Sequence, residues 1–190
     1  MVLPVRPKKR LGQNFMTSQR HSGFIVDALS LAPGERVLEI GPGLGALTEL
    51  LLNRGCPVVA VEKDAVLVDL LRYKYRNADL EVIHQDVLSL DLEGKASPEA
   101  PLKVIGNIPY NITSPILEWL IKHRARITTA VLTVQWEVAR RLAAKPGNKD
   151  WGSLSVFLQF YSDVELLRKI DKSHFNPVPR VDSAVLVFVS

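Results

Sequence analysis

The residues of this 190-residue chain best suited to chemistry are Asn107, Ile108, Pro109 and Tyr110, which follow an apolar run at Lys103 to Gly106. Their types fit the problem posed by an aromatic amine such as the exocyclic amino group of adenine. That nitrogen is a poor nucleophile because its lone pair is delocalised into the ring, and its proton is too weakly acidic for a side-chain base to remove first. Hydrogen-bond acceptors must activate it instead. The Asn107 side-chain oxygen and the Ile108 main-chain carbonyl, held by the rigid turn at Pro109, would accept from the two N–H bonds. They would aim the lone pair at a methyl group and stabilise the positive charge that develops. Tyr110 would offer a π-face to an extruded base. No general base is required. His21, His84, His123 and His174 show no ligand spacing and read as structural or surface residues, and no metal, paired-carboxylate or Ser/His/Asp constellation stands out.

A second suggestive stretch is Glu39-Ile40-Gly41-Pro42-Gly43-Leu44-Gly45-Ala46. Glycines there let the backbone turn tightly and approach a ligand, while the following helix offers free N–H groups. Glu62 closes the next strand, 21 residues after Gly41, where a carboxylate can accept hydrogen bonds from ribose hydroxyls. Asp86 closes the strand after that and is placed to accept from an adenine amino group. Two cofactors compete for this pattern. Gly41, Gly43 and Ala46 satisfy the dinucleotide fingerprint, so a nicotinamide-dependent oxidoreductase is one reading. S-adenosylmethionine is the other: it lacks phosphate and carries a sulfonium and an ammonium, which the carboxylates of Glu39 and Asp86 suit better than they suit a pyrophosphate. Turn glycines and solvated acids with no ligand are the plainest alternative.

These segments need a scaffold that brings strand ends together, and the hydropathy pattern supplies one. Strand-like runs alternate with helical stretches, as expected for a parallel sheet covered on both faces. Strands are expected at 36–40, 58–61, 80–84, 103–106, 129–135, 164–170 and 184–189. Helices are expected at 19–31, 44–54, 65–75, 115–122, 137–144 and 153–161, the last read as buried.

The net charge of +4 is unevenly placed. Arg6, Lys8, Lys9, Arg10 and Arg20 occur in the first twenty residues with no acid, whereas the remainder holds 19 basic and 20 acidic residues. Residues 1–20 therefore read as a basic arm suited to phosphates, and 21–190 as one catalytic domain. The lone Cys56 reads as a small core residue. No leader or membrane-spanning run is evident, so a cytoplasmic location is expected.

Taken jointly, the motifs resemble those of the rRNA adenine N6-dimethyltransferases of the KsgA type, with the Erm-type enzymes as close relatives. The matching segments are Leu11 to Phe15, Glu39 to Gly45, Val61 to Asp64, Gln85 to Val87, Gly106 to Ile112, Gln135 with Glu137 to Ala139, Gly152 to Val156 and Phe175 to Val185. The resemblance implies a Rossmann-like class I methyltransferase fold with a mostly parallel seven-stranded sheet. It implies that Asn14 and the backbone of Met16 touch S-adenosylmethionine, that Gly41 contacts its methionine part, Glu62 its ribose and Asp86 its adenine, and that Asn107 lies between donor and target. Tyr110 and Phe175 would flank the target base, although by residue type alone Phe175 is a core aromatic. The implied substrate is rRNA in the immature small ribosomal subunit, dimethylated at two adjacent adenosines near the 3′ end of 16S rRNA, by a monomer. An Erm-type 23S rRNA enzyme and an RNA-binding assembly factor with little catalysis are the alternatives. Met16 departs from the usual leucine, and residues 21–190 are expected to be the catalytic domain alone, without the small helical C-terminal domain usual in the family.

Overall fold

The computed structural model describes residues 5–189. Along the chain the main elements are β1 (Phe15–Met16), α1 (Gln19–Asp27), β2 (Val37–Ile40), α2 (Ala46–Asn53), β3 (Val58–Glu62), α3 (Ala65–Lys74), β4 (Leu80–His84) and β5 (Leu102–Asn107). They continue as α4 (Thr113–Lys122), β6 (Ile127–Gln135), α5 (Trp136–Leu142), α6 (Ser153–Tyr161), β7 (Asp163–Ile170), β8 (Phe175–Asn176) and β9 (Ser183–Val189). All seven expected long strands form one sheet in the order β4-β3-β2-β5-β6-β9-β7. Pairing is parallel except on the two sides of β9, which runs antiparallel to β6 and β7.

This order creates the site. From β2 the chain winds outward through β3 and β4, then returns to build β5 and β6 on the other flank of β2. The reversal between β2 and β5 opens a crevice at the carboxyl ends of the strands, the usual ligand position in such sheets. Register sets its level. Ile40 lies beside both Val61 and Gly106, so Gly41, Glu62 and Asn107 all emerge at one edge. Because β9 is antiparallel, its first residue, Ser183, comes to the same edge beside Gln135.

The central strands are buried on both faces, which is why they read as unbroken apolar runs. On one face Leu38, Ile40 and Val104 pack with Ile116, Leu120 and Leu142 from α4 and α5. On the other, Val37 and Ile105 pack with Ile25 from α1, Leu29 just past its end, and Leu47 and Leu51 from α2. Cys56 is buried in that second layer.

Two expectations change. Helix α1 stops at Asp27 rather than continuing to residue 31, because Ser30 takes a left-handed φ of 49° and breaks the helical path. Helix α6 is not buried: only Ser155 and Leu158 are covered, while Val156, Phe157 and Phe160 are 49%, 42% and 79% exposed. The covered stripe includes the polar Ser155, while the apolar residues Val156, Phe157 and Phe160 face outward, so residue type alone pointed the wrong way. A short antiparallel pair, β1 with β8, was not apparent from sequence and ties Phe15 to Asn176 and Met16 to Phe175. Among the described residues, no helix is long and apolar enough to cross a membrane.

Candidate active site

The glycine turn leaves β2 with Gly41, Gly43 and Gly45 all at positive φ, conformations that side chains disfavour. Gly43 has a further reason to lack a Cβ, which would stand 3.0 Å from the ring of Phe15. Glu62 pins this turn. Its carboxylate accepts from Gly43 N at 3.3 Å and from the main-chain nitrogens of Lys63 and Asp64 at 2.9 Å each. Burial raises its pKa and the three N–H donors oppose the rise. Its remaining lone pairs are those available to a ribose.

Glu39 lies deeper, 1% exposed, and accepts from the Thr48 hydroxyl at 2.6 Å. Burial pushes its pKa up to about 7 against the Thr48 hydrogen bonds, with the nearby Glu62 charge adding to the rise. Asp86 caps a short turn by accepting from Leu88 N at 3.1 Å, and its other oxygen accepts from Lys63 Nζ at 2.6 Å. Burial there acts to raise the pKa, but the Lys63 and Leu88 hydrogen bonds outweigh it and hold Asp86 low.

Opposite these acids stands the neutral loop after β5. Gly106 is required because a Cβ would come within 2.8 Å of the Ile40 carbonyl oxygen. Asn107 Nδ2 donates to the Asn14 carbonyl at 2.9 Å. A carbonyl can only accept, so the amide nitrogen must face Asn14, and Oδ1 is left as the acceptor. Ile108 donates its N–H to the Thr133 carbonyl at 3.0 Å and buries its side chain. Its own carbonyl has no hydrogen-bond partner among the described residues. The Tyr110 hydroxyl and the Ser183 hydroxyl share a hydrogen bond of 2.7 Å. Burial raises the Tyr110 pKa, so the phenol stays neutral in the physiological range.

One cavity joins the two groups. Asn14, Met16, Gly41, Glu62, Asp86, Asn107, Ile108, Pro109 and Tyr110 all line it. Phe175 does not. It is 2% exposed and packs with Ile25 and Leu29, behind the main-chain pairing with Met16. Phe175 therefore sits in the core layer beneath the β1–β8 pair, outside the cavity lining. Sequence reasoning passed over Phe15, Thr48 and Ser183. Phe15 and Ser183 lie within quoted motifs, but their contacts with Gly43 and Tyr110 come from distant parts of the chain, and Thr48 reaches back nine residues to Glu39 from inside α2.

The lining fits a cationic nucleoside better than a dinucleotide. Glu39 and Glu62 would face the negative charge of a pyrophosphate, and of the two cations lining the cavity Lys63 is already paired with Asp86, which leaves Arg10 alone against them.

A sequence model of the family described as ribosomal RNA adenine dimethylase matches residues 5–190. Ribosomal RNA small subunit methyltransferase A of Prosthecochloris aestuarii is 47% identical over 182 residues, covering 96% of this chain and 69% of that protein. The protein of the same name from Geobacter metallireducens is 45% identical over 188 residues, covering 97% and 68%. Among solved structures, the 23S rRNA methyltransferase ErmE superposes with a TM-score of 0.82 at 34% identity, covering 93% of this chain and 69% of that one.

Proposed function

The chain belongs to the ribosomal RNA adenine dimethylase family, and on that premise we propose that it methylates the N6 amino groups of two adjacent adenosines near the 3′ end of 16S rRNA, in the immature small ribosomal subunit. It is an S-adenosylmethionine-dependent enzyme. The small-subunit assignment rests on relatives at 45% and 47% identity, against 34% for the enzyme acting on 23S rRNA. We read the enzyme as a cytoplasmic monomer.

The observation that carries the catalytic reading is the fixed amide of Asn107, with Oδ1 and the Ile108 carbonyl free at one cavity wall. When bound, S-adenosylmethionine supplies an electrophilic methyl group on a sulfonium. In our reading, Gly41 with Asn14 and the backbone of Met16 hold its methionine end, Glu62 its ribose and Asp86 its adenine. The two acceptors take hydrogen bonds from the target amino group and stabilise the ammonium formed there. Pro109 keeps their spacing, and Tyr110 stacks on the base. The product's extra proton leaves to water.

The basic arm is narrower in this reading than its sequence suggests. Residues 1–4 lie outside the described part. Lys8 is engaged by Asp64, whereas Arg6, Arg10 and Arg20 are exposed and remain as phosphate contacts. The test is incubation of the protein and labelled S-adenosylmethionine with undermethylated small subunits and, in parallel, with large subunits, followed by mass spectrometry of the digested rRNA. Dimethyladenosine at two adjacent positions is expected. Label confined to 23S rRNA would overturn the small-subunit assignment, and tight particle binding without transfer would favour an assembly factor.

A further inference from the structure

Asp64 does more than begin α3. It accepts from Val66 N at 3.1 Å as the helix cap, yet its buried carboxylate also gathers two partners from the start of the chain. Lys8 Nζ donates to Oδ1 at 2.5 Å and Gln13 Nε2 to Oδ2 at 3.0 Å, while Lys8 N donates to Gln13 Oε1 at 2.7 Å. Lys8, Gln13 and Asp64 thus close a triangle. A carboxylate this deeply placed is costly unless paired and hydrogen-bonded, so the triangle holds or fails as a unit.

The residues just beyond it cross the cavity. Gly12, at φ 62°, lies so near the catalytic loop that a Cβ would stand 3.0 Å from Asn111 Oδ1 and 3.2 Å from Pro109 Cβ. Asn14 then presents its carbonyl to the Asn107 amide, and Phe15–Met16 is anchored by its pairing with β8. The Asp64 end of this segment sits at the donor half of the cavity. The Asn14 end sits on the group that faces the target amine.

We propose that Lys8, Gln13 and Asp64 form a latch that holds residues 12–14 as a strap across the cavity and, through the Asn14 carbonyl, sets the orientation of the Asn107 amide. They are positioning residues. The inference rests on the reading of Asn107 given above, and it moves Lys8 from the RNA-binding set to the catalytic support. Without Lys8, Asp64 keeps its cap but loses its charge partner. The strap loosens, and the Asn107 amide is free to turn its nitrogen towards the target.

The test uses the full chain carrying Lys8→Met, with Arg6→Met as the comparison. In the protein without donor or RNA, hydrogen exchange across residues 11–17, which includes the Thr17 amide bonded to the His174 carbonyl, should speed up by about tenfold while α3 is unchanged. At saturating donor and RNA, single-turnover transfer should fall by about tenfold, with the salt dependence of RNA binding unaltered, whereas Arg6→Met should lower that salt slope by about one unit. Lys8→Arg should recover most of the rate. Asp64→Asn, which keeps a capping oxygen, should slow transfer similarly, and the Lys8→Met, Asp64→Asn double variant should be no slower than either alone. Normal exchange and transfer in Lys8→Met, or additive losses in the double variant, would overturn the latch. Because exchange is read on the protein alone, it reports on the latch even if the assigned methyl transfer were wrong.

Discussion

The two halves of the cavity work by different physics. The donor half, at the ends of β2, β3 and β4, is built from carboxylates: Glu39 and Glu62 buried, Asp86 half-buried and paired with Lys63. The transfer half, after β5, presents an amide oxygen, a main-chain carbonyl and a neutral phenol. Charge suits the recognition of a cationic ligand, since its attraction is strong in a desolvated site and its cost is offset by surrounding N–H groups. Neutral acceptors suit a reaction in which positive charge appears only on the way to product, because they favour that state without a proton having to move first. Binding and transfer should therefore be separable by mutation.

The largest break is expected at Asn107. Asn107→Ala should lower single-turnover transfer by about 10²–10³-fold, the usual cost of losing one group that stabilises developing charge, while calorimetry finds donor affinity changed only slightly. Glu62→Ala should do the reverse. It removes an acceptor of charge-assisted hydrogen bonds and frees the Gly43 turn, so donor affinity should fall by about 1.5–3 kcal/mol. Tyr110→Ala should weaken capture of the base by about 1–3 kcal/mol with donor binding intact, read as a rise in KM for RNA. Tyr110→Phe sharpens this further: the π-face stays, but Ser183 keeps a buried hydroxyl without its partner, at a cost of about 1 kcal/mol in stability, measured by denaturant unfolding.

How much of this was visible beforehand follows from the range of the interactions. The glycine turn, Glu62, Asp86 and the Asn107 loop were legible because each sits within a few residues of a strand end, where local pattern fixes position. The sheet's seven long strands were legible for the same reason. The latch was not, since Lys8 and Asp64 are 56 positions apart and nothing in a run of basic residues marks one of them for a buried carboxylate. Nor was the β1–β8 pair, whose two-residue strands are too short to show alternation. Helix α6 misled because its apolar residues suggested burial, whereas packing covers the polar Ser155 with Leu158 and leaves Phe157 and Phe160 outside. Phe175 shows a different limit: its place in a motif pointed to the site, but local pattern could not show that its ring is buried beside Ile25 and Leu29 under the pairing with Met16.

The division between halves also has a pH signature. Glu39 binds its proton more tightly in the folded protein than in the unfolded chain, its pKa rising from 4.5 to about 7. The folded state therefore holds the extra proton between those values, and the stability of the donor-free protein falls as pH rises through that window. A cationic donor favours the ionised carboxylate, so its binding should release this proton and tighten as pH rises, by up to about tenfold per pH unit below 7. Glu39→Gln should remove the dependence.

The most direct test measures both halves on one protein: donor affinity, and single-turnover transfer at saturating donor and RNA, from about pH 6 to 7.5, the range in which a histidine base would titrate. Donor affinity should climb with pH while the saturated transfer rate stays flat. A saturated rate that rises with an ionisation in that range, in wild type and Glu39→Gln alike, would place a general base in the transfer half and contradict acceptor-driven transfer.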